Sequence, residues 1–326
     1  MKYLVAPLNW GLGHASRCVP LVRRFLDEGH EVILGGDGES LTLLRKHFPK
    51  LRYVYLAPLH LRYSKGKRQV FAMLRALPQL ISWAFKDHML LKAVLREEHF
   101  DKVISDNRFG LYCKDVNCVY MTHQLHIKLP KGWRWAEPLA ERLHACIYRH
   151  FDEVWVPDYE DFAHSLAGEL SHIKHPAAYI RYIGPLSRFD NQESISDGQF
   201  DIVAVLSGLE PHRTLLEQEI VTRFAGKKET VLIVEGLLNK PNTRIKRGNI
   251  TIVPYLNDDE LTAALLGAKH IIARSGYSTI MDLHALGFVK SKIENRKSKI
   301  ELIPTPGQPE QEYLAKTIRN FATLEK

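Results

Sequence analysis

Short apolar runs alternate with amphipathic segments from the start of the chain. Tyr3–Leu8 is apolar, Ser16–Gly29 carries apolar residues at helical spacing, and His30–Gly36 is apolar again. This order predicts a strand, a helix and a strand, which form a βαβ unit in a parallel sheet. The same pattern predicts further buried strands at Phe100–Asp106, Cys118–His123 and Phe151–Pro157.

The pattern restarts after a turn-rich stretch, Ile183–Gln199. A second series of strands is predicted at Phe200–Gly208, Thr230–Gly236, Asn249–Leu256, His270–Gly276 and Ile300–Pro306. We therefore predict two facing, doubly wound α/β domains of the Rossmann type, residues 1–184 and 185–326. Ligands of such sheets bind beyond the carboxyl ends of the strands, so the active site is expected in the cleft between the domains.

Composition narrows the class of protein. The chain has 326 residues, 45% of them hydrophobic, which is enough for two cores of ~150 residues each. No stretch approaches the ~20 apolar residues of a spanning helix, and the first residues enter a strand without the apolar core of a signal peptide. We expect a cytoplasmic protein whose four cysteines are reduced, with no metal site.

The formal net charge of +8 favours an anionic partner. Nucleic acid, a membrane surface and a phosphorylated substrate all meet this condition. Nucleic acid is the weaker choice because no known binding module accompanies the charge.

The loop after the first strand holds the first candidate chemistry. Gly11 and Gly13 permit a tight turn and a close approach to a ligand, and His14 follows at the start of a helix. The positive end of the helix dipole favours a neutral imidazole, which suits a general base. Asp106 ends a strand of the same half and could orient that imidazole, whereas the alternative for His14 is a structural role at the helix start. The spacing lacks the third glycine of a dinucleotide fingerprint, which argues against a nicotinamide cofactor.

The second half supplies a candidate anion site. Arg274 and Gly276 follow a strand, and Ser278 and Thr279 begin the next helix, an arrangement that suits a diphosphate. One turn further on, Asp282 could accept both hydroxyls of a ribose or could simply be a favourable acid near a helix start. The amides of Gln308 and Gln311 suit sugar hydroxyls, although surface glutamines in a turn are common.

Four motifs together resemble a known family. The segments GLGHASRCVPL, THQ, RSGYSTIMD and PGQPEQEYLA occur in the order found in the GT-B fold glycosyltransferases of family 28, such as the MurG-type N-acetylglucosaminyltransferases. The resemblance implies an inverting sugar transfer from a nucleotide diphosphate donor, most simply a UDP-sugar, to a hydroxyl of a glycan or lipid-linked acceptor. It implies that the C-terminal domain holds the donor and the N-terminal domain holds the acceptor, without a metal or other cofactor.

The resemblance and the residue chemistry together give a set of expected site residues. Catalysis is assigned to His14 and Asp106, and acceptor binding to Asn9, Trp10, His123 and Gln124. Donor binding is assigned to Gly11, Gly13, Ser207, Gly208, Arg213, Tyr255, Leu256, Arg274, Ser275, Gly276, Tyr277, Ser278, Thr279, Asp282, Gln308 and Gln311.

Three features of the sequence depart from the family 28 pattern or leave the function open. The segment SGLEPHR replaces the usual glycine-rich turn, which puts the donor in doubt, and a basic stretch at residues 288–300 is longer than expected. The basic, apolar segment Leu56–Arg96 could rest on an anionic membrane at the inner face, or it could be an amphipathic helix with a charged outer face. A nucleotide-sugar epimerase or hydrolase, and a non-catalytic nucleotide-sugar sensor, remain alternatives to the transferase.

Overall fold

A computed structural model describes residues 1–59, 69–174, 176–189, 198–208, 210–241, 243–289 and 298–324. The chain divides into two compact units, Met1–Leu186 and Ser187–Lys326. The division falls close to the boundary expected after Gly184.

Unit 1 is a seven-stranded sheet flanked by helices. Its strands are paired in parallel in the order β3-β2-β1-β4-β5-β6-β7. The strands are β1 (Lys2–Pro7), β2 (Glu31–Gly36), β3 (Tyr53–Tyr55), β4 (Lys102–Asp106), β5 (Asn117–Met121), β6 (Glu153–Val156) and β7 (Ile180–Tyr182). The α-helices are α1 (Gly13–Asp27), α2 (Gly38–His47), α3 (Gln69–Glu97) and α4 (Glu137–Tyr148), with short 3₁₀ turns at Lys131–Ala136 and Gly168–Leu170.

The central strands of unit 1 are buried on both faces. Leu4, Val103 and Val119 have no exposed surface, as expected for a parallel sheet covered by helices. Helix α1 packs on the sheet through Val19 and Val22 among others, because apolar residues recur every three to four positions.

Unit 2 is a six-stranded sheet in the order β10-β11-β9-β8-β12-β13. Only the pairing of β10 with β11 is antiparallel among the described strands. The strands are β8 (Ile202–Val205), β9 (Val231–Val234), β10 (Ile245–Arg247), β11 (Ile250–Val253), β12 (His270–Arg274) and β13 (Lys299–Ile303). The helices are α5 (His212–Phe224), α6 (Asp258–Gly267), α7 (Tyr277–Ala285) and α8 (Pro309–Leu324).

Every strand predicted from the apolar runs is present, and three short strands were missed. These are β3, β7 and β10, which lie at sheet edges and have few buried positions. An edge strand that packs against little core needs no apolar run, so the hydrophobic pattern carries no signal for it.

Helix α3 covers most of the described part of the segment Leu56–Arg96, of which residues 60–68 lie outside the described part, and ends one residue beyond it. Its outer surface is not simply charged. Leu77, Ile81, Phe85 and Met89 follow one another at four-residue spacing and are 44%, 66%, 64% and 49% exposed. The helix therefore presents an apolar stripe to solvent, which the amphipathic alternative does not explain.

Candidate functional site

The carboxyl ends of β1, β4 and β5 bring the predicted catalytic loop of unit 1 together. Strands β1 and β4 are paired in parallel with Pro7 opposite Asp106, and Asp106 is in turn opposite Met121 of β5. Parallel neighbours end at the same edge of a sheet, so the loop after β1 and the residues after β5 meet beside Asp106.

The loop after β1 owes its turn to one glycine. Gly11 has φ 75°, a left-handed conformation that side chains disfavour, whereas Gly13 is the first residue of α1. The hydroxyl of Ser40 lies 3.2 Å from the carbonyl oxygen of Leu8 and 3.3 Å from that of Gly11, so its single proton can be donated to either and holds the loop. His14 is thereby held at the second position of α1.

His14 and Asp106 lie in contact. Nδ1 of His14 is 3.1 Å from Oδ1 of Asp106, and the Asp106 side chain is fully buried while that of His14 is 17% exposed. If Nδ1 carries the ring proton, it donates to the carboxylate, and Nε2 keeps the lone pair that a general base needs.

A buried arginine joins this pair. Nε of Arg17 donates to Oδ2 of Asp106 at 2.8 Å, and its Nη2 donates to Oδ1, so the guanidinium grips the carboxylate with two parallel bonds. Nη2 also lies 3.0 Å from Nδ1 of His14, and Nη1 lies 3.1 Å from Nδ1 of His123. We call these four residues, His14, Arg17, Asp106 and His123, the Arg17 cluster.

Asp106 is ionised in this setting. Burial raises the pKa of the carboxyl, but the positive charge of Arg17, followed by His14, outweighs it and holds the pKa well below its usual range. Asp106 therefore keeps its negative charge at neutral pH.

The residue after Asp106 adopts an unusual conformation. Asn107 has φ 58°, and its side-chain oxygen accepts a hydrogen bond of 2.8 Å from the hydroxyl of Tyr120. That hydroxyl also lies 3.0 Å from Nε2 of His144, whose burial lowers its pKa to about 4. Tyr120 and His144 thus hold the backbone turn that follows the Asp106 carboxylate.

Asn9 and Trp10, expected on the acceptor, are engaged inside unit 1. Nδ2 of Asn9 donates to Asp37 at 2.9 Å, and its oxygen accepts from the backbone N–H of Ser40 at 3.3 Å. Trp10 is half-buried against an apolar cluster that includes Trp83. The Asn9 side chain therefore ties the loop after β1 to the start of α2.

A second buried network, which the sequence did not suggest, lies beyond Asn9. Arg108 is fully buried and bonds Asp37 at 2.8 Å and both oxygens of Asp87 at 2.9 Å. Burial, the largest influence, raises the pKa of Asp87 against the opposing effect of Arg108. This network joins β4, α2 and α3 and holds the edge of the sheet that carries the Arg17 cluster.

The other acceptor-side residue, Gln124, lies in the loop after β5. Its backbone N–H donates to the hydroxyl of Thr122 at 3.1 Å, and its side chain is half-buried. His123, beside it, is 6% exposed.

In unit 2, the carboxyl ends of β8, β9, β11, β12 and β13 meet at one edge, and helix α7 begins there. Gly276 is the N-cap of α7, and no side chain caps the helix. Ser278 and Thr279 in the first turn are half-buried. A Cβ placed on Gly276 would meet only Thr279 Oγ1 at 4.0 Å among described atoms, so space is open in front of this helix start.

Arg274 does not point into that space. It is 4% exposed, its Nη2 donates to the carbonyl of His212 at 2.6 Å, and its Nη1 donates to the carbonyls of Pro304 at 3.1 Å and Ile303 at 3.5 Å. The guanidinium therefore ties three backbone segments together. Both Nη atoms thus contact carbonyls, and these contacts do not support Arg274 as a diphosphate contact.

Two other predicted donor side chains are also used internally. The hydroxyl of Ser275, fully buried, donates to the carbonyl of Gln311 at 2.8 Å, and Oε1 of Gln311 accepts from the N–H of Thr305 at 2.8 Å. They shape the β12 and β13 loops, so a direct sugar contact from these atoms is not supported. Tyr277 is 2% exposed and belongs to the core.

Asp282 and the loop after β11 lie near the start of α7. Oδ1 of Asp282 accepts from the hydroxyl of Ser187 at 2.7 Å, and Oδ2 lies 3.9 Å from Nε of Arg188. Tyr255 is half-buried, and Leu256 is 4% exposed, so that Leu256 could offer a ligand only backbone groups.

The remaining donor residues lie after β8 and β13. Gly208 has φ 93° and is exposed beside half-buried Ser207, whereas Arg213 is paired with Glu210. Gln308 is half-buried, and its backbone N–H donates to Thr305 at 3.1 Å. Leu209 and most of the basic stretch, residues 290–297, lie outside the described residues.

Sequence reasoning missed Arg17, although a signal was present. Arg17 follows His14 by three positions, which places both on one face of α1, and it interrupts the buried face that includes Cys18 and Val19. A charged residue on a buried helix face needs a partner, and Asp106 is that partner.

Comparison with known proteins fits this architecture. No protein-family profile matches the chain. An uncharacterized glycosyltransferase of Methanosarcina acetivorans is 22% identical over 315 residues, which are 88% of this chain and 78% of that protein.

Solved structures show the same fold. A glycotransferase of kitacinnamycin matches with a TM-score of 0.59 and 14% identity, over 97% of this chain and 83% of its own. A Streptomyces glycosyltransferase complexed with thymidine diphosphate matches with a TM-score of 0.58 and 12% identity, over 98% of this chain and 86% of its own. The predicted fold class, α/β with two parallel-sheet domains of the GT-B type, is confirmed.

Within the described ranges, no helix is both long and apolar enough to span a membrane.

Proposed function

We propose that the chain is an inverting glycosyltransferase that moves a sugar from a nucleotide diphosphate donor to an acceptor hydroxyl, with His14 as the general base. The contact of 3.1 Å between Nδ1 of His14 and Oδ1 of Asp106 carries the proposal, since a buried carboxylate that orients an imidazole is the arrangement of a catalytic base. The names of the similar proteins support sugar transfer as the reaction class.

In the proposed step, the acceptor hydroxyl attacks the anomeric carbon of the donor sugar. The new carbon–oxygen bond forms as the bond to the diphosphate breaks, and the nucleoside diphosphate leaves with the electron pair. Nε2 of His14 takes the hydroxyl proton, and ionised Asp106 stabilises the imidazolium that results. Attack from the face opposite the leaving group inverts the anomeric configuration.

Unit 2 is proposed to hold the donor. The uncapped start of α7 offers backbone N–H groups and the positive end of the helix dipole, and Ser278 and Thr279 add hydroxyls. Asp282 is the candidate for a ribose hydroxyl, since a carboxylate that accepts one bond from Ser187 keeps further acceptor capacity. No metal ion is required in this proposal.

The residues constrain the nucleobase of the donor less than any other part of it. The resemblance to family 28 favours UDP, whereas one of the similar structures is complexed with thymidine diphosphate. The two nucleotides share the diphosphate that the start of α7 would bind, and they differ in the ribose 2′-hydroxyl and the thymine methyl.

The surface of unit 1 favours an acceptor at an anionic membrane. Besides the apolar stripe on α3, a second stripe follows the 3₁₀ turn before α4 and α4 itself, where Trp135, Leu139 and Leu143 are 76%, 57% and 60% exposed. Exposed basic residues lie along both stripes, on α3 at Arg75, Lys86, Lys92 and Arg96, and on the 3₁₀ turn, α4 and the residue after it at Lys131, Arg134, Arg142 and Arg149. Exposed apolar side chains among basic ones match the chemistry of an anionic bilayer surface.

A panel of nucleotides and nucleotide sugars, screened by thermal shift and followed by turnover assays, tests the function. A nucleoside diphosphate at ~100 times its dissociation constant should add ~2.7 kcal/mol to the free energy of unfolding. Sugar transfer with inverted configuration supports the proposal. Turnover of the nucleotide sugar without an acceptor would favour an epimerase or hydrolase, and binding without turnover would favour a sensor.

A further inference from the structure

Helix α2 begins without a cap from its own N-cap residue. Asp37 holds that position with an extended backbone, and an aspartate there ordinarily accepts a hydrogen bond from a backbone N–H two or three residues further on. Its side chain accepts no such bond from the described residues of α2. The N–H of Ser40, three residues after Asp37, donates instead to Oδ1 of Asn9 at 3.3 Å. A residue of the loop after β1 therefore caps α2.

The Asp37 carboxylate is engaged elsewhere. Its Oδ2 accepts from Nδ2 of Asn9 at 2.9 Å, and its Oδ1 accepts from Nη1 of Arg108 at 2.8 Å. Arg108 is fully buried, and it donates to both oxygens of Asp87 at 2.9 Å. Because Asp37 is only 7% exposed, this fixed and buried cation keeps its carboxylate beside Asn9.

Asn9 suits this place because an amide has a donor at one end and an acceptor at the other. A carboxylate only accepts and a backbone N–H only donates, so the two partners leave the amide a single orientation. The fit is close, since a Cβ on Gly38 would overlap Nδ2 of Asn9. We call the bonds from Asn9 to Asp37 and to Ser40 the Asn9 latch.

The latch lies at the start of the loop that leads to the proposed base. Asn9 precedes Gly11, where the chain turns with φ 75°, and His14 follows at the second position of α1. Ser40 contacts the same loop a second time, since its hydroxyl lies 3.2 Å and 3.3 Å from the carbonyl oxygens of Leu8 and Gly11. The first turn of α2 thus holds the loop that precedes His14.

We infer that Asn9 and Asp37 are positioning residues, and that the latch between them sets the path of the loop after β1 and thereby the place of His14 beside Asp106. The inference rests on the proposed function for the catalytic role of His14, whereas the latch itself does not. Neither Asn9 nor Asp37 needs to touch a substrate for this role.

The two carboxylates around Arg108 make a mild test possible. Asp37 and Asp87 contact the same guanidinium, so the three groups together carry an excess of negative charge. Burial, the largest influence, and in smaller part the charge of Asp37 raise the pKa of Asp87 against the opposing effect of Arg108. Asp37→Asn therefore leaves Arg108 paired with Asp87, and the fold should hold.

Exchange of the two side chains is the test. Asn9→Asp places one carboxylate against another, and Asp37→Asn gives the latch one hydrogen-bond donor too many, so either change breaks it. In the double variant, the carboxylate at position 9 accepts from the amide at position 37 and from the N–H of Ser40. The amide oxygen at position 37 accepts from Arg108. Every bond of the latch is then restored, and the net charge is that of the wild type.

Each single variant should lower kcat by roughly 10–10²-fold, because a displacement of about 1 Å can cost ~10²-fold, while the Kd of UDP stays near its wild-type value. The double variant should recover most of the loss. Asp27→Asn, which neutralises an exposed aspartate of unit 1, should keep the wild-type kcat. If Asn9→Asp does not fold, Asn9→Ala removes the latch without adding a charge and should show the same loss.

Hydrogen–deuterium exchange of the backbone over residues 6–16 follows the latch without an activity assay. Exchange there should be faster in each single variant than in the wild type, because the loop opens more often. It should return to the wild-type rate in the double variant.

A double variant with kcat as low as that of the single variants, or single variants with wild-type kcat, would overturn the inference. A rise in the KM of the acceptor that is confined to variants of Asn9 would overturn it too, because it would place Asn9 on the acceptor. A wild type without sugar transfer would refute the proposed function and with it the catalytic role of the latch. The exchange rates of residues 6–16 would still decide whether the latch holds the loop.

Discussion

Oδ1 of Asp106 lies 3.1 Å from Nδ1 of His14, although 92 positions separate the two residues in the chain. The parallel pairing of β1 with β4 produces this contact, because it brings the loop after β1 to the end of β4. The contact sets a condition on the protonation of His14. His14 can act as a base only if Asp106 holds its Nδ1 proton and leaves Nε2 bare.

Asp106→Asn should destabilise the protein as well as impair the base. The change leaves Arg17 buried without its counter-ion, and removal of one partner of a buried pair costs roughly 3–5 kcal/mol. Chemical denaturation of both proteins near pH ~7 measures the difference in the free energy of unfolding.

The same pair predicts a pH dependence. The folded-state pKa of Asp106 lies below its ordinary value of about 3.9, so its stabilising contribution is present above that value and is lost as the pH falls through the lower, folded pKa. The gap in unfolding free energy between wild type and Asp106→Asn should therefore be constant around neutral pH and shrink below about pH 4. A gap that shrinks already on acidification from about pH 7 to 5 would mean that Asp106 is not held ionised.

Gly276→Ala tests the anion site at the start of α7. Gly276 has φ −73°, which alanine adopts easily, and the added Cβ meets no described atom closer than 4.0 Å. The fold should hold, while a methyl group in front of the helix start should weaken binding of UDP by about tenfold, or ~1.4 kcal/mol. Isothermal titration of the variant and of Gly132→Ala, a control with open space around its Cβ, checks this. Equal affinity for UDP in wild type and Gly276→Ala would show that the diphosphate does not bind at the start of α7.

Arg274→Ala should act on stability and not directly on donor binding. Its guanidinium donates to three carbonyls on two segments, and hydrogen bonds from charged groups contribute ~1.5–3 kcal/mol each, so a loss of about 3 kcal/mol in unfolding free energy is expected. Arg244→Ala, at an exposed position of the same unit, should cost little. Thermal unfolding, with UDP titration well below the transition, separates the effects. A large loss of UDP affinity at unchanged stability would instead show that Arg274 contacts the diphosphate.

The apolar stripe on α3 should bind anionic vesicles. Wild-type protein is expected to co-sediment with phosphatidylglycerol vesicles and to bind them less as the salt concentration rises. It should not bind phosphatidylcholine vesicles. Ile81→Glu combined with Phe85→Glu should abolish binding, whereas Ser82→Glu, which adds a charge at an exposed position beside the stripe, should retain most of it. Absence of binding by the wild type at every salt concentration would mean that the stripe has another partner.

Much of the fold could be predicted from the sequence, and the site only in part. Buried parallel strands are apolar throughout, so the chain pattern located all the central strands, while edge strands such as Tyr53–Tyr55 left no pattern. Residue type alone was misleading at Arg274. An arginine after a strand suggests a phosphate, and only the structure shows that carbonyls occupy it. Arg17 was missed because its partner, Asp106, is 89 positions away.

The most direct test of the account is His14→Ala, measured as turnover of the donor and as affinity for it. General-base catalysis typically contributes ~10²–10⁴-fold, so turnover should fall by about that factor while the dissociation constant of the nucleoside diphosphate stays nearly unchanged. His99→Ala, at an exposed histidine of the same unit, is the control and should retain wild-type turnover. Transfer by His14→Ala at the wild-type rate, or a product that retains the anomeric configuration of the donor, would contradict the account.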